Sequence, residues 1–196
     1  MATDQRARSG VRIYRAADAP DLGSSDFNRG SDFGDDTRLQ DVVSTLAVAA
    51  DARTGSRLLV RQTPNEGGFS LVYLFFKPNF PLFRHKHESD CLYVVLSGSA
   101  VMGSQTLGAG DCFFVPAYAP YAYTAGPDGV EVLEIRHNAD GFTTIFANDQ
   151  ATRLDEAEAT VEANAASWKA ITSGPLLRAN RAQAVGSSHT DTTEES

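Results

Sequence analysis

Apolar residues gather in short runs between residues 42 and 146: VVSTLAVA, SRLLVRQ, FSLVYLFFK, CLYVVLSG, SAVMG, CFFVP, YAYTA, VEVLEIRH and FTTIF. The breaks between them, TPNEGG, KPNFP, LGAGD and AGPDG, are built from Gly, Pro, Asn and Asp. Short runs rich in β-branched and aromatic residues, evenly spaced and divided by such turns, predict an all-β sandwich or barrel. Several runs are apolar at both parities, which predicts strands covered on both faces.

The period changes after residue 150. Leu154, Ala157, Val161, Ala165, Trp168 and Ile171 recur at steps of three and four, one apolar stripe of a helix. Thr152 is the expected N-cap and Gly174-Pro175 the stop. This helix is expected on the outside of the barrel. The first forty residues are polar apart from VRIY at 11 to 14, and the echo SDFNRG, SDFGDD sets Phe27 and Phe33 six residues apart. Two readings stand for this stretch: a loosely held leader, or an arm whose phenylalanines latch onto the barrel or onto a second subunit. The last stretch, AQAVGSSHTDTTEES, has almost nothing to bury and is expected to be disordered. The expected organisation is a leader or arm over 1–40, a barrel over 41–147, a helical segment over 148–178 and a disordered tail over 179–196.

Charge and composition narrow the partners. With 17 Lys and Arg against 25 Asp and Glu, the net charge is -8, and the pI is about 4.9. An acidic chain is a poor match for nucleic acid or for an anionic membrane. The most apolar stretch, FSLVYLFF at 69 to 76, is far too short to span a bilayer as a helix. MATDQRARSG lacks the apolar core of a secretion signal. Cys91 and Cys112 make no disulfide framework. These features together predict a cytoplasmic protein.

The candidate chemistry lies in FRHKHESDCLYVVLSG, residues 83 to 98. On a strand, His85 and His87 project to the same side, close enough for both imidazoles to reach one ion. Cys91 shares their parity, whereas Glu88 and Asp90 should face away unless a bulge flips the register. Two imidazoles, one thiolate and an open fourth position form a zinc or copper set. Tyr121 is a second candidate, although an ordinary phenol, with a pKa near 10, ligates poorly unless a metal acidifies it. The competing readings are a Cys91 that is merely a small core residue, a Tyr121 that hydrogen-bonds an organic ligand, and histidines in a barrel that binds no metal. His137 ends a strand and is the best remote candidate for a third imidazole, while His189 lies in the tail. Tyr73, Tyr93 and Tyr123 are candidates for a cavity wall, and Arg61 for a substrate carboxylate. The chain has no P-loop, no strand-borne GxGxxG and no GxSxG motif.

These residues resemble the cupins. The pair His85 and His87 and the closing Gly98 fit the first cupin motif, G-x5-H-x-H-x3–4-E-x6-G, and Gly110 and Pro116 open the second, G-x5-P-x-G-x2-H-x3-N. The departures are Asn79 for the first glycine, Cys91 for the glutamate, Tyr118 for a glycine, Tyr121 for the histidine and Ala125 for the asparagine. The resemblance covers about residues 79 to 125. It implies a double-stranded β-helix barrel, one divalent transition metal (Zn, Cu, Fe, Ni or Mn) and a homodimer joined through barrel sheets. Two functions follow as expectations. One is a metal-dependent enzyme, of oxygenase, isomerase or lyase type, acting on a small organic molecule. The alternative is a non-catalytic sensor or carrier that binds a small molecule and has lost the metal.

Overall fold

A computed structural model describes residues 10–51, 55–148 and 150–178. The expected disordered tail, 179–196, lies outside the described residues, as does His189. Nine strands form one sheet that curls into a barrel: β1 (Asn28–Asp32), β2 (Ser56–Arg61), β3 (Ser70–Phe76), β4 (Pro81–Lys86), β5 (Cys91–Met102), β6 (Gln105–Gly108), β7 (Cys112–Val115), β8 (Tyr121–Arg136) and β9 (Phe142–Phe146). The longer helices among the described residues are α1 (Thr37–Ala50) and α2 (Ala151–Trp168).

The 16-residue β8 organises the barrel. Its first half pairs with β4 and its second half with β3, while both halves pair with β5 along the other edge. The turn-like AGPDG does not divide this region into two strands, as its composition suggested. Ala125 pairs with Ala100 and Val130 with Gly98, so β8 inserts residues 126–129 where β5 has only Ser99. That bulge reverses parity. Tyr121, Tyr123 and Ala125 face the core before it, and Val130, Val132, Glu134 and Arg136 are buried after it. Gly98 is required at this crossing: its φ is 68°, and a Cβ there would stand 2.0 Å from the carbonyl oxygen of Gly129.

VVSTLAVA, expected as a strand, lies within α1. The helix starts at Asp36, whose carboxylate accepts from the Leu39 N–H at 2.9 Å. Leu39, Val42, Leu46 and Ala50 are its buried residues, spaced at three and four. The stripe begins three residues before the run that looked strand-like, and the helical period becomes plain only when Leu39 is included. α1 packs on α2 and on the barrel core, which contains Leu154, Ala157 and Trp168 of α2. α2 begins at Gln150 with no side-chain cap, so Thr152 is not the N-cap. Arg153 instead fastens α2 to the barrel, donating to the carbonyls of Leu82 and Tyr123 and to the Thr124 hydroxyl. At the other end Trp168 Nε1 donates to the Pro78 carbonyl at 2.9 Å.

Phe27 is fully buried and meets Phe142 edge-on, and Phe33 stacks on Phe146 with centroids 4.7 Å apart. Both phenylalanines of the echo thus pack on β9, and β1 runs parallel to it. No helix among the described residues is long and apolar enough to cross a membrane.

Candidate functional site

Burial alternates along β4, which turns Pro81, Phe83 and His85 inward, and His87 follows in phase. The two imidazole centroids are 4.8 Å apart. Each ring is held by a main-chain oxygen: His85 Nδ1 is 2.7 Å from the Phe83 carbonyl and His87 Nδ1 is 2.9 Å from that of Thr143. A carbonyl only accepts, so both Nδ1 atoms carry the hydrogen and both Nε2 atoms present a lone pair. Burial lowers the pKa of each ring to about 4. For His85 the neighbouring His87 adds to the effect, and for His87 the Arg136 charge does. Both rings are neutral at pH 7.

The two Nε2 atoms converge on one hydroxyl. Tyr121 Oη lies 2.9 Å from His85 Nε2 and 3.4 Å from His87 Nε2, and it also hydrogen-bonds the Tyr93 hydroxyl. Burial raises both phenols well above their ordinary range, so they remain protonated. Tyr93 in turn stacks on Phe113 at 4.5 Å.

This polar group ends an apolar cavity of about 200 Å³. Leu46 and Val43 of α1 cover it, Phe83, Phe142 and Phe146 form walls, and its polar residues are His85, His87, Tyr121 and Glu134, with Asn28 and Thr144. Glu134 pairs with Arg136 at 2.7 Å, both side chains being almost wholly inaccessible. The contact is poorly aligned: Glu134 Oε2 and the three guanidinium nitrogens have no hydrogen-bond partner among the described residues. The Arg136 guanidinium rests on the Phe142 ring, 4.3 Å from its centroid. Sequence reasoning missed Glu134 and Arg136 because the bulge in β8 hides their common side with Tyr121. The available signal was a pair of opposite charges two apart in the apolar second half of the strand, where Glu131 is the other charge.

The other predicted residues separate. Cys91 is inward and buried, as its parity required, but its thiol is pushed up to about 12, chiefly by burial, and stays protonated. No three His, Cys, Asp or Glu residues among those described are grouped to hold a metal ion. The expected His85–His87–Cys91 set is therefore not assembled. Glu88 and Asp90 point away, accepting from the backbone N–H groups of Thr143 and Ala117. His137 bonds the Gly67 carbonyl oxygen at 3.0 Å, away from the pair. Tyr73 is on the opposite face of the sheet, hydrogen-bonded to Glu131. Arg61 pairs with Asp26 at 2.6 Å and donates to the Ala139 carbonyl, outside the cavity. Tyr123 is buried beside the site, and its hydroxyl has no partner among the described residues. Two neutral imidazoles suit a transition metal, but no third His, Cys, Asp or Glu among the described residues is grouped with them. As a complete donor set for a tightly held ion, these residues do not fit.

The backbone retains the motif turns even where residues differ. Asn79 has φ 61° and Tyr118 φ 62°, the left-handed conformation a motif glycine takes freely, and Gly98 and Gly110 have φ 68° and 92°. All four turn positions thus keep the geometry, on a barrel that turns an H-x-H strand inward. The fold is of the cupin type.

Comparison with protein-family models and with curated proteins gives no match. Among solved structures, this cupin-type barrel is similar to an RmlC-like cupin from Shewanella frigidimarina. That alignment has 20% identity and a TM-score of 0.36, covering 41% of this chain and 72% of that one. It is also similar to KdgF from Halomonas sp., at 20% identity and TM-score 0.37, covering 44% and 83%. A third is the polyketide cyclase RemF from Streptomyces resistomycificus, at 23% identity and TM-score 0.39, covering 53% and 80%. Likenesses this distant carry nothing about activity.

Proposed function

We propose that this cupin-type barrel binds a small, largely apolar organic molecule in the cavity beneath α1, as a sensor or carrier. One observation carries the reading: a partly open pocket of about 200 Å³ is walled mainly by aliphatic and aromatic side chains and ended by neutral, fixed imidazoles. A few convergent polar groups in an apolar cavity are what a specific small-molecule site needs. The alternative, a metal-dependent oxygenase, isomerase or lyase, keeps only its two imidazoles. Cys91 is packed in the core, and no three His, Cys, Asp or Glu side chains among the described residues are grouped around one point.

Two free cysteines, one of them exposed, fit a reducing cytoplasm. The homodimer implied by the resemblance would use the outer face of β5 and β7, where Leu92 and Phe114 are cross-strand partners and both exposed.

The test is a saturation-transfer NMR screen of compact aromatic and alicyclic molecules, run beside elemental analysis of the purified, tag-free protein. Binders that are lost when Val43→Phe fills the cavity, with metal well below one equivalent, support the reading. Near-stoichiometric metal that disappears from a His85→Ala/His87→Ala protein would replace it with the metal-dependent one.

A further inference from the structure

A count of hydrogens at the polar end of the cavity narrows the chemistry of its occupant. Both imidazoles have committed their single N–H to carbonyls, of Phe83 and of Thr143, so each Nε2 requires a donor from elsewhere. The one hydroxyl both approach, that of Tyr121, carries one hydrogen. At 2.9 Å to His85 against 3.4 Å to His87, that hydrogen belongs to His85. The Tyr121 oxygen is then free to accept from Tyr93, whose hydroxyl is its other neighbour. The chain Tyr93 to Tyr121 to His85 is complete, with every hydrogen used. The Nε2 of His87, a residue of the cavity lining, is left over. A buried acceptor without a donor costs about 1–3 kcal/mol, which is the driving force for an occupant able to supply one.

We infer that the occupant donates a hydrogen bond to His87 Nε2 from an uncharged O–H or N–H group on an apolar body, making this site selective for neutral donor-bearing molecules, phenols among them. The inference rests on the reading that the cavity binds a small molecule. Alternatives fail on the same chemistry. A carboxylate brings no hydrogen. An ammonium would have to shed its water into a wall of Leu46, Phe83, Phe142 and Phe146, where the buried Arg136 cation already disfavours a positive charge at His87. A pure hydrocarbon fills the space but leaves His87 as it was.

The experiment compares three compact probes on the full chain by isothermal titration calorimetry: 2-naphthol, naphthalene and 2-methoxynaphthalene. They share a ring system, and only the first carries a donor. The expected result is at least about tenfold tighter binding of 2-naphthol than of either other probe. That preference should disappear in His87→Phe, which keeps a flat ring but has no lone pair, and persist in Cys91→Ala. The three-probe comparison on the wild type stands by itself should His87→Phe fail to fold. Equal affinities for the three probes would overturn the inference while leaving the cavity reading intact, because water would then satisfy His87. No binding of any probe to folded protein would overturn both.

Discussion

Two carboxylates buried three residues apart on β8 are treated in opposite ways. Glu131 faces away from the cavity and is fully satisfied: Tyr73, Ser97 and the Leu176 backbone N–H all donate to it, the last at 2.8 Å. Its partners come from β3, β5 and the segment after α2, so it ties three parts of the chain together. Glu134 faces the cavity and has one charged neighbour, Arg136, in an alignment that leaves donors and acceptor without proper hydrogen bonds. Saturated polar groups rigidify a scaffold, whereas partly satisfied ones mark where a structure has kept capacity for something else. The barrel is finished on its Glu131 face and open on its Glu134 face.

Acid should produce the largest divergence between these faces. His85 and His87 sit on the open side, and burial lowers each from 6.5 to about 4. Below pH 6.5 the unfolded chain takes up protons that the folded chain refuses until about pH 4. Stability is therefore complete above pH 6.5 and declines as the pH falls from there to 4, on the order of 3 kcal/mol per imidazole. Urea unfolding across this range measures it. A His85→Gln/His87→Gln protein should show a much flatter profile, while a Tyr73→Phe change on the finished face should leave the slope unaltered.

Arg136→Leu comes next. It strands the Glu134 carboxylate in the interior and should cost about 4 kcal/mol. Adding Glu134→Leu should restore most of that loss, because removing both charges removes the desolvation burden. A double substitution no more stable than the single one would mean that the pair contributes net stability. On the finished face, Tyr73→Phe should cost about 2 kcal/mol by depriving Glu131 of a donor. Binding in the cavity should not change. Smallest is Cys91→Ala, about 1 kcal/mol from lost packing alone, with no effect on metal content or ligand affinity. A larger effect on either would return Cys91 to the site.

The barrel was legible because strand spacing and turn chemistry are local signals. The inward pair His85 and His87 followed from parity on a short strand. Tyr121 was reachable from its place after Pro116, at a fixed distance in the second motif. Three features were not legible. The stripe of α1 starts at Leu39, within a polar stretch, and the Ala and Val residues that follow look strand-like when taken alone. Glu134 and Arg136 join Tyr121 only through the three extra residues of the β8 bulge, and no period-two reading crosses a bulge of that length. Cys91 teaches a third lesson. Its direction was readable but its chemistry was not, because a thiol among core side chains has a pKa near 12 that parity cannot report.

The most direct measurement is nitrogen-15 NMR of the imidazoles in the full-length protein at pH 7, before and after saturation with 2-naphthol. Both rings should be neutral, protonated on Nδ1 and bare on Nε2, and the alcohol should shift the Nε2 resonance of His87 while leaving that of His85 nearly still. A protonated ring at pH 7, or a hydrogen on either Nε2, would contradict the account.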